Sequence, residues 1–142
     1  MKRIKWTAIV LTAGLLVPFA LAQDKGLDFD PDLPPCVVKV EPANRAKDVD
    51  FRLTEIKVIF DRPMTVGENF SWIMHERIGV YPGYRGSPPP RWEDDGRTCV
   101  LPVRLSPNTL YAVGVNDSRY TGFKSLDGSA AVPFVWVFKT RE

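Results

Sequence analysis

The sequence predicts an all-β sandwich, and three features carry that expectation. Thirteen prolines and ten glycines punctuate short β-branched and aromatic runs, while no stretch is long or periodic enough for a substantial helix. Two Asp-Gly steps, Asp95-Gly96 and Asp127-Gly128, stand between extended segments, where such dipeptides make hairpin turns. The stretch Leu105-Ser106-Pro107-Asn108-Thr109-Leu110-Tyr111 followed by Ala112-Val113-Gly114-Val115 has the form of a tyrosine corner. There the chain leaves one sheet and enters the other, with the ring buried at the bend and the hydroxyl bonded to backbone upstream.

The first 22 residues read as a cleavable export leader. Lys2, Arg3 and Lys5 form its basic start, Thr7 to Phe19 its apolar run, and Ala20-Leu21-Ala22 its cleavage site before Gln23. The apolar run is short for a retained membrane span, so no membrane association is expected after cleavage. The whole chain carries 19 Lys+Arg against 17 Asp+Glu; without the three leader bases, the remainder is 16 against 17, a net charge of −1. A nucleic-acid partner is therefore not expected. About 120 residues remain, one domain's worth of chain.

Residues 23–34 are acidic and proline-rich and read as a flexible tail, ahead of a domain over 35–142. Asp28, Asp30 and Asp32 mimic the start of an EF-hand loop, but Leu33 stands where that loop needs glycine and Lys39 where it needs glutamate. Cys36 to Glu41 alternates, with Cys36, Val38 and Val40 expected inward. Leu53 to Phe60 points Ile56, Val58 and Phe60 inward and ends at Pro63, which cannot continue a ladder. Phe70, Trp72 and Met74 share one face of a third strand, with Trp72 a core tryptophan. Arg97 to Leu105 places Cys99, Leu101, Val103 and Leu105 inward, and the last strand, Pro133 to Lys139, does the same with Phe134, Trp136 and Phe138.

Glu76 to Arg91 is irregular, and its Tyr81, Tyr84 and the following Trp92 suit a surface that stacks on sugar rings or contacts a protein. The alternative is a sheet-crossing connection whose tyrosines lie back on the sandwich. Asp94 and Asp95 resemble a catalytic acid pair, yet turn chemistry accounts for both. Cys36 and Cys99 invite a disulfide in an exported chain. The Leu53–Phe60 strand is expected between them, which separates the Cα atoms by roughly 9–10 Å against the about 4.4–6.8 Å a bridge needs. Two free thiols are the expected state, with a bridge as the alternative if the first strand crosses sheets.

Several motifs now fall in a recognisable order. Pro35-Cys36-Val37-Val38-Lys39-Val40-Glu41-Pro42-Ala43-Asn44, Phe60-Asp61-Arg62-Pro63-Met64, Asp95-Gly96-Arg97-Thr98, Leu105 to Tyr111 and Phe138-Lys139-Thr140 together resemble bacterial Ig-like domains of the SbsA type. The resemblance covers Pro34 to Arg141 and implies a Greek-key sandwich of about seven strands, usually a non-catalytic module of surface-layer proteins, adhesins or exported enzymes. Read as a single domain behind its own leader, the chain is expected to be a free binding module in the periplasm or outside the cell, its partner an unknown envelope protein or a glycan.

One surface for such a partner is nameable. With Tyr111, Val113 and Val115 inward, Leu110, Ala112 and Gly114 face outward, beside Val135 and Val137 of the last strand. This apolar strip is expected to receive a partner or, weakly, a second copy, unless Tyr120 to Phe123 folds back over it. A copper-carrier alternative has only His75, Met64 and Met74 to draw on, with Gln23 at the expected terminus, so no metal or other cofactor is expected. An enzyme would need a nucleophile with its base, a metal set or opposed carboxylates, and none is apparent.

Overall fold

The structure, a computed structural model, describes residues 29–142; the expected leader, its expected cleavage point before Gln23, and Asp28 lie outside the described residues. Seven strands follow one another: β1 (Val37–Glu41), β2 (Glu55–Phe60), β3 (Trp72–Met74), β4 (Arg91–Trp92), β5 (Thr98–Pro102), β6 (Leu110–Val115) and β7 (Phe134–Lys139). These seven strands pair with one another antiparallel. One sheet has the order β1-β2-β5-β4 and the other β3-β6-β7, the strand arrangement of a constant-type immunoglobulin sandwich. Among the described residues no helix is long and apolar enough to cross a membrane.

The core lies between the sheets, where Ile56, Val58 and Phe60 of β2 meet Val113 and Val115 of β6 and Trp136 and Phe138 of β7. Two expected inward faces are corrected. In β1 the register shifts between Val37 and Lys39, so the bulge turns Val37, not Val38, onto the core alongside Val40. Met74 ends an edge strand and is exposed, although Phe70 and Trp72 pack inward as their alternation predicts. Pro63 follows the end of β2 and faces solvent.

β5 is buried on both faces. Val100 is paired with Lys57 and Arg91, whose aliphatic stems flank it while their charged ends meet Glu93 and Glu55. The outer face of the four-stranded sheet is thus covered by ion pairs. Cys99 lies on β5 opposite Val58, Cys36 stands just before β1, and β2 runs between them; the two are separate thiols.

Tyr111 makes the corner. Its buried ring stacks on Phe138 with centroids 5.5 Å apart, and the Ser106 backbone N–H donates to its hydroxyl at 2.6 Å. Tyr111→Phe keeps the ring and orphans that N–H, so the expected loss is about 1 kcal/mol, read as a lower urea midpoint with an unchanged slope.

The free edge of β7 is closed by the segment after β1. Arg45 N–H donates to Val137 O, Asn44 Oδ1 accepts from Val137 N–H, and Ala46 O accepts from Lys139 N–H. The first turn therefore joins the second sheet and protects an edge that would otherwise be open.

Candidate functional site: an apolar sheet edge

The outer face of the three-stranded sheet contrasts with the ion-paired outer face of its partner. Leu110, Ala112 and Gly114 point outward from β6, paired with Lys139, Val137 and Val135 of β7. The strip is only partly open. Ala112 is fully buried, Val137 is half-buried, and Leu110 and Val135 remain exposed.

The alternative cover, Tyr120 to Phe123, does not form. Phe123 points into the core, where it packs against Phe60 and Trp72, and Tyr120 is exposed. The cover is instead the turn after β3. His75 lies over Gly114, where an added Cβ would sit 2.5 Å from its Nε2. The chain turns through His75 O, which accepts from Ile78 and Gly79 N–H, and Gly79 passes directly against the β6 backbone. Val80 then rejoins β6 beside Tyr111: its N–H donates to Leu110 O, and its own O accepts from Ala112 N–H. Glycine at 79 is required here, because a Cβ would stand 2.8 Å from Leu110 O.

This return places four large apolar side chains around the open side of β3 and β6. Met74 is 60% exposed, Val80 55%, Ile78 47% and Leu110 44%. With Tyr81 and Thr109 they border an open cleft of about 790 Å³. Among the described residues β3 has β6 as its only strand neighbour and is three residues long, so there its other edge carries no strand. Of the residues expected to bind, only Leu110 and Tyr81 border this cleft. Met74, Ile78 and Val80 were invisible as a group, because a parallel bridge formed by one residue after a turn leaves no periodicity in sequence.

The other candidates are dispersed. Tyr81 lies back on the core, and burial pushes its phenol pKa up; Gly83 makes room for its ring. Trp92 packs against Phe60, Phe70 and Phe123 with centroids 6.0, 6.3 and 6.0 Å away, which makes it a wall of the core rather than a loop contact. Tyr84 lines a different cleft with Arg104. Asp95 takes the hairpin role expected of it, accepting from Arg97 N–H, Thr98 N–H and the Thr98 hydroxyl, and Asp94 is exposed beside it. Met64 is buried in the core while His75 and Met74 lie at the sheet edge, and among the described residues no three His, Cys, Asp or Glu side chains gather as a metal site.

A search of curated proteins finds no match to this sequence. Among solved structures, the chain is similar to three of the bacterial S-layer protein SbsC. The segment of residues 31–844 aligns at 20% identity and a TM-score of 0.47, over 77% of this chain and 14% of that one. The N-terminal part aligns at 20% identity and a TM-score of 0.48, over 77% and 24%. Domains 1–6 align at 21% identity and a TM-score of 0.48, over 78% and 14%. The chain thus spans less than a quarter of each SbsC chain's length. The model of the bacterial Ig-like domain matches residues 31–140, which takes in all seven strands, the tyrosine corner and the Asp61-Arg62-Pro63-Met64 turn: the chain belongs to the bacterial Ig-like domain family.

Proposed function

We propose that this protein is an exported, non-catalytic interaction module of the bacterial envelope, which holds a protein partner against the apolar edge of its three-stranded sheet. The observation that carries this reading is the grouping of Met74, Ile78, Val80 and Leu110 around an unpaired strand edge. Scattered exposed hydrophobes are ordinary on a soluble domain, whereas several gathered beside an open strand edge mark an interaction surface. The basic-apolar leader over residues 1–22 supports export.

The test places a photo-crosslinking amino acid at Ile78, and a control at Arg119, which is exposed and does not border this cleft. In the native envelope, a discrete adduct is expected from position 78 and not from 119. Met74→Lys with Ile78→Lys should abolish the adduct and change stability by only about 0.5 kcal/mol, as exposed substitutions do. An adduct of twice the chain mass would make the partner a second copy. Identical or absent adducts from both positions would remove the edge from consideration as a binding surface.

A further inference from the structure

We infer that a second cleft, separate from the apolar edge, binds an acidic polysaccharide. It lies where the start of β2, the end of β5 and the Tyr84–Arg91 loop meet. Phe51, Arg52, Glu55, Tyr84, Arg91 and Arg104 are among its walls, and its volume is about 460 Å³. That volume is within the range of about 300–1,000 Å³ common for ligand clefts.

The arginines of this cleft are arranged in an unusual way for a surface that only needs to be soluble. Arg104 is stacked on the Tyr84 ring, its guanidinium carbon 4.3 Å from the centroid, and Arg52 lies over Phe51 at 5.6 Å. Among the described residues neither has a carboxylate partner. A guanidinium that rests its face on an aromatic ring keeps its N–H donors in its own plane, free for the two oxygens of a carboxylate or phosphate. Stacking also restrains the side chain before a ligand arrives, which lowers the entropy lost on binding.

The third arginine is used differently. Arg91 is held by Glu55 at 2.8 Å, and this bond keeps the Glu55 carboxyl below its usual range. Three arginines against one glutamate leave the cleft with two surplus positive charges, on a protein whose formal charge outside its leader is −1. A polyhydroxylated ligand needs acceptors as well as donors, and the Glu55 oxygens, each accepting one bond from Arg91, keep a further lone pair for a hydroxyl beside the forks of Arg52 and Arg104. Phe51, Tyr84 and Pro88 add the flat apolar surfaces against which a sugar ring packs. The combination selects an oxyanion-bearing sugar polymer over an acidic peptide.

Affinity electrophoresis of the purified protein tests this, in native gels containing polygalacturonate, phosphomannan, neutral dextran or poly-L-glutamate. Retardation by polygalacturonate or by phosphomannan is expected, the responsive gel identifying carboxylate or phosphate as the anion, at an apparent affinity at least about tenfold above that for dextran and poly-L-glutamate. The double variant Arg52→Ala, Arg104→Ala should weaken binding by about tenfold or more, on the scale of hydrogen bonds to charged groups. Arg119→Ala, which removes one exposed charge from a residue that does not line the cleft, should leave it within about twofold, since solvent-exposed charges act mainly within a Debye length. Circular dichroism and the melting midpoint report that each variant is folded. No retardation by either acidic polysaccharide, equal retardation by poly-L-glutamate, or equal weakening by Arg119→Ala would each overturn the assignment.

Discussion

Asn116→Ala is expected to destabilise the domain by about 3–5 kcal/mol, which lowers the thermal midpoint by roughly 10–20 °C for a domain of this size. Asn116 follows β6, is buried, and has a left-handed backbone with φ of 54°. Its amide nitrogen donates to Phe123 O at 2.9 Å and to Ala131 O at 3.0 Å, while its Oδ1 accepts from Phe123 N–H at 3.0 Å. One side chain thus ties both halves of the loop between β6 and β7 and holds Phe123 in the core. Alanine leaves Phe123 N–H and Ala131 O without these partners; Phe123 O keeps the Ala131 N–H. Two orphaned buried groups cost about 1–3 kcal/mol each, and the left-handed backbone adds about 1 kcal/mol that asparagine tolerates better. Asn116→Gly should recover only that last part. If alanine and glycine both lower stability by less than about 1 kcal/mol, the loop is not held this way.

Asn116 also shows where sequence reading ends. From Asn116 to Ser129 the chain reads as loose, because a polar residue that bonds backbone seven and fifteen positions away has the same local composition as an ordinary loop. Strands were legible where one face is dry: Ile56, Val58 and Phe60 alternate cleanly because β2 is central, with both edges paired and one face on the core. Legibility failed at the margins. The bulge in β1 swaps Val38 for Val37, since one extra residue inverts the period of two. Met74 continues the pattern of Trp72 in sequence, but β3 has already reached the open end of the sandwich there.

The candidate site was half legible for the same reason. Leu110 and Val135 follow from the alternation of β6 and β7, so the apolar strip itself was predictable. Its cover was not. His75 follows β3 on the same face as Ile73, which is paired with Gly114, but the turn that then brings Val80 back along β6 leaves no local signal, and nothing local in Tyr120 to Phe123 distinguishes an outer lid from a core plug. The stacked arginines of the second cleft are equally silent in sequence. Arg52 is one residue from Phe51, but Arg104 and Tyr84 are twenty apart.

Asp61→Ala should cost about 3–5 kcal/mol at neutral pH, the toll of leaving a buried cation unpaired. Asp61 and Arg62 sit at the end of β2, both buried. The Asp61 carboxylate accepts from Arg62 Nε at 3.1 Å, from Arg62 Nη2 at 2.8 Å and from Cys36 N–H at 3.2 Å. Arg62 then holds the start of the described chain, with the Phe29 ring 4.4 Å from its guanidinium carbon and Asp30 O accepting at 3.2 Å. Asp61→Ala with Arg62→Leu should restore much of the loss, because the pair is removed whole. The pH dependence has a definite sign. Burial, the largest single influence on Asp61, raises its pKa, but the bonds from Arg62 and Cys36 together outweigh it and the net shift is downward. A carboxyl depressed on folding adds stability that is full above its unfolded value of about 3.9 and fades as pH falls through the folded one. Urea midpoints of wild type and Asp61→Asn should therefore differ at neutral pH and converge in acid below the folded value. A gap that stays constant from neutral pH into that acid range would mean that the charge on Asp61 does not stabilise the fold, and that the Asp61-Arg62 step owes its effect to turn geometry alone.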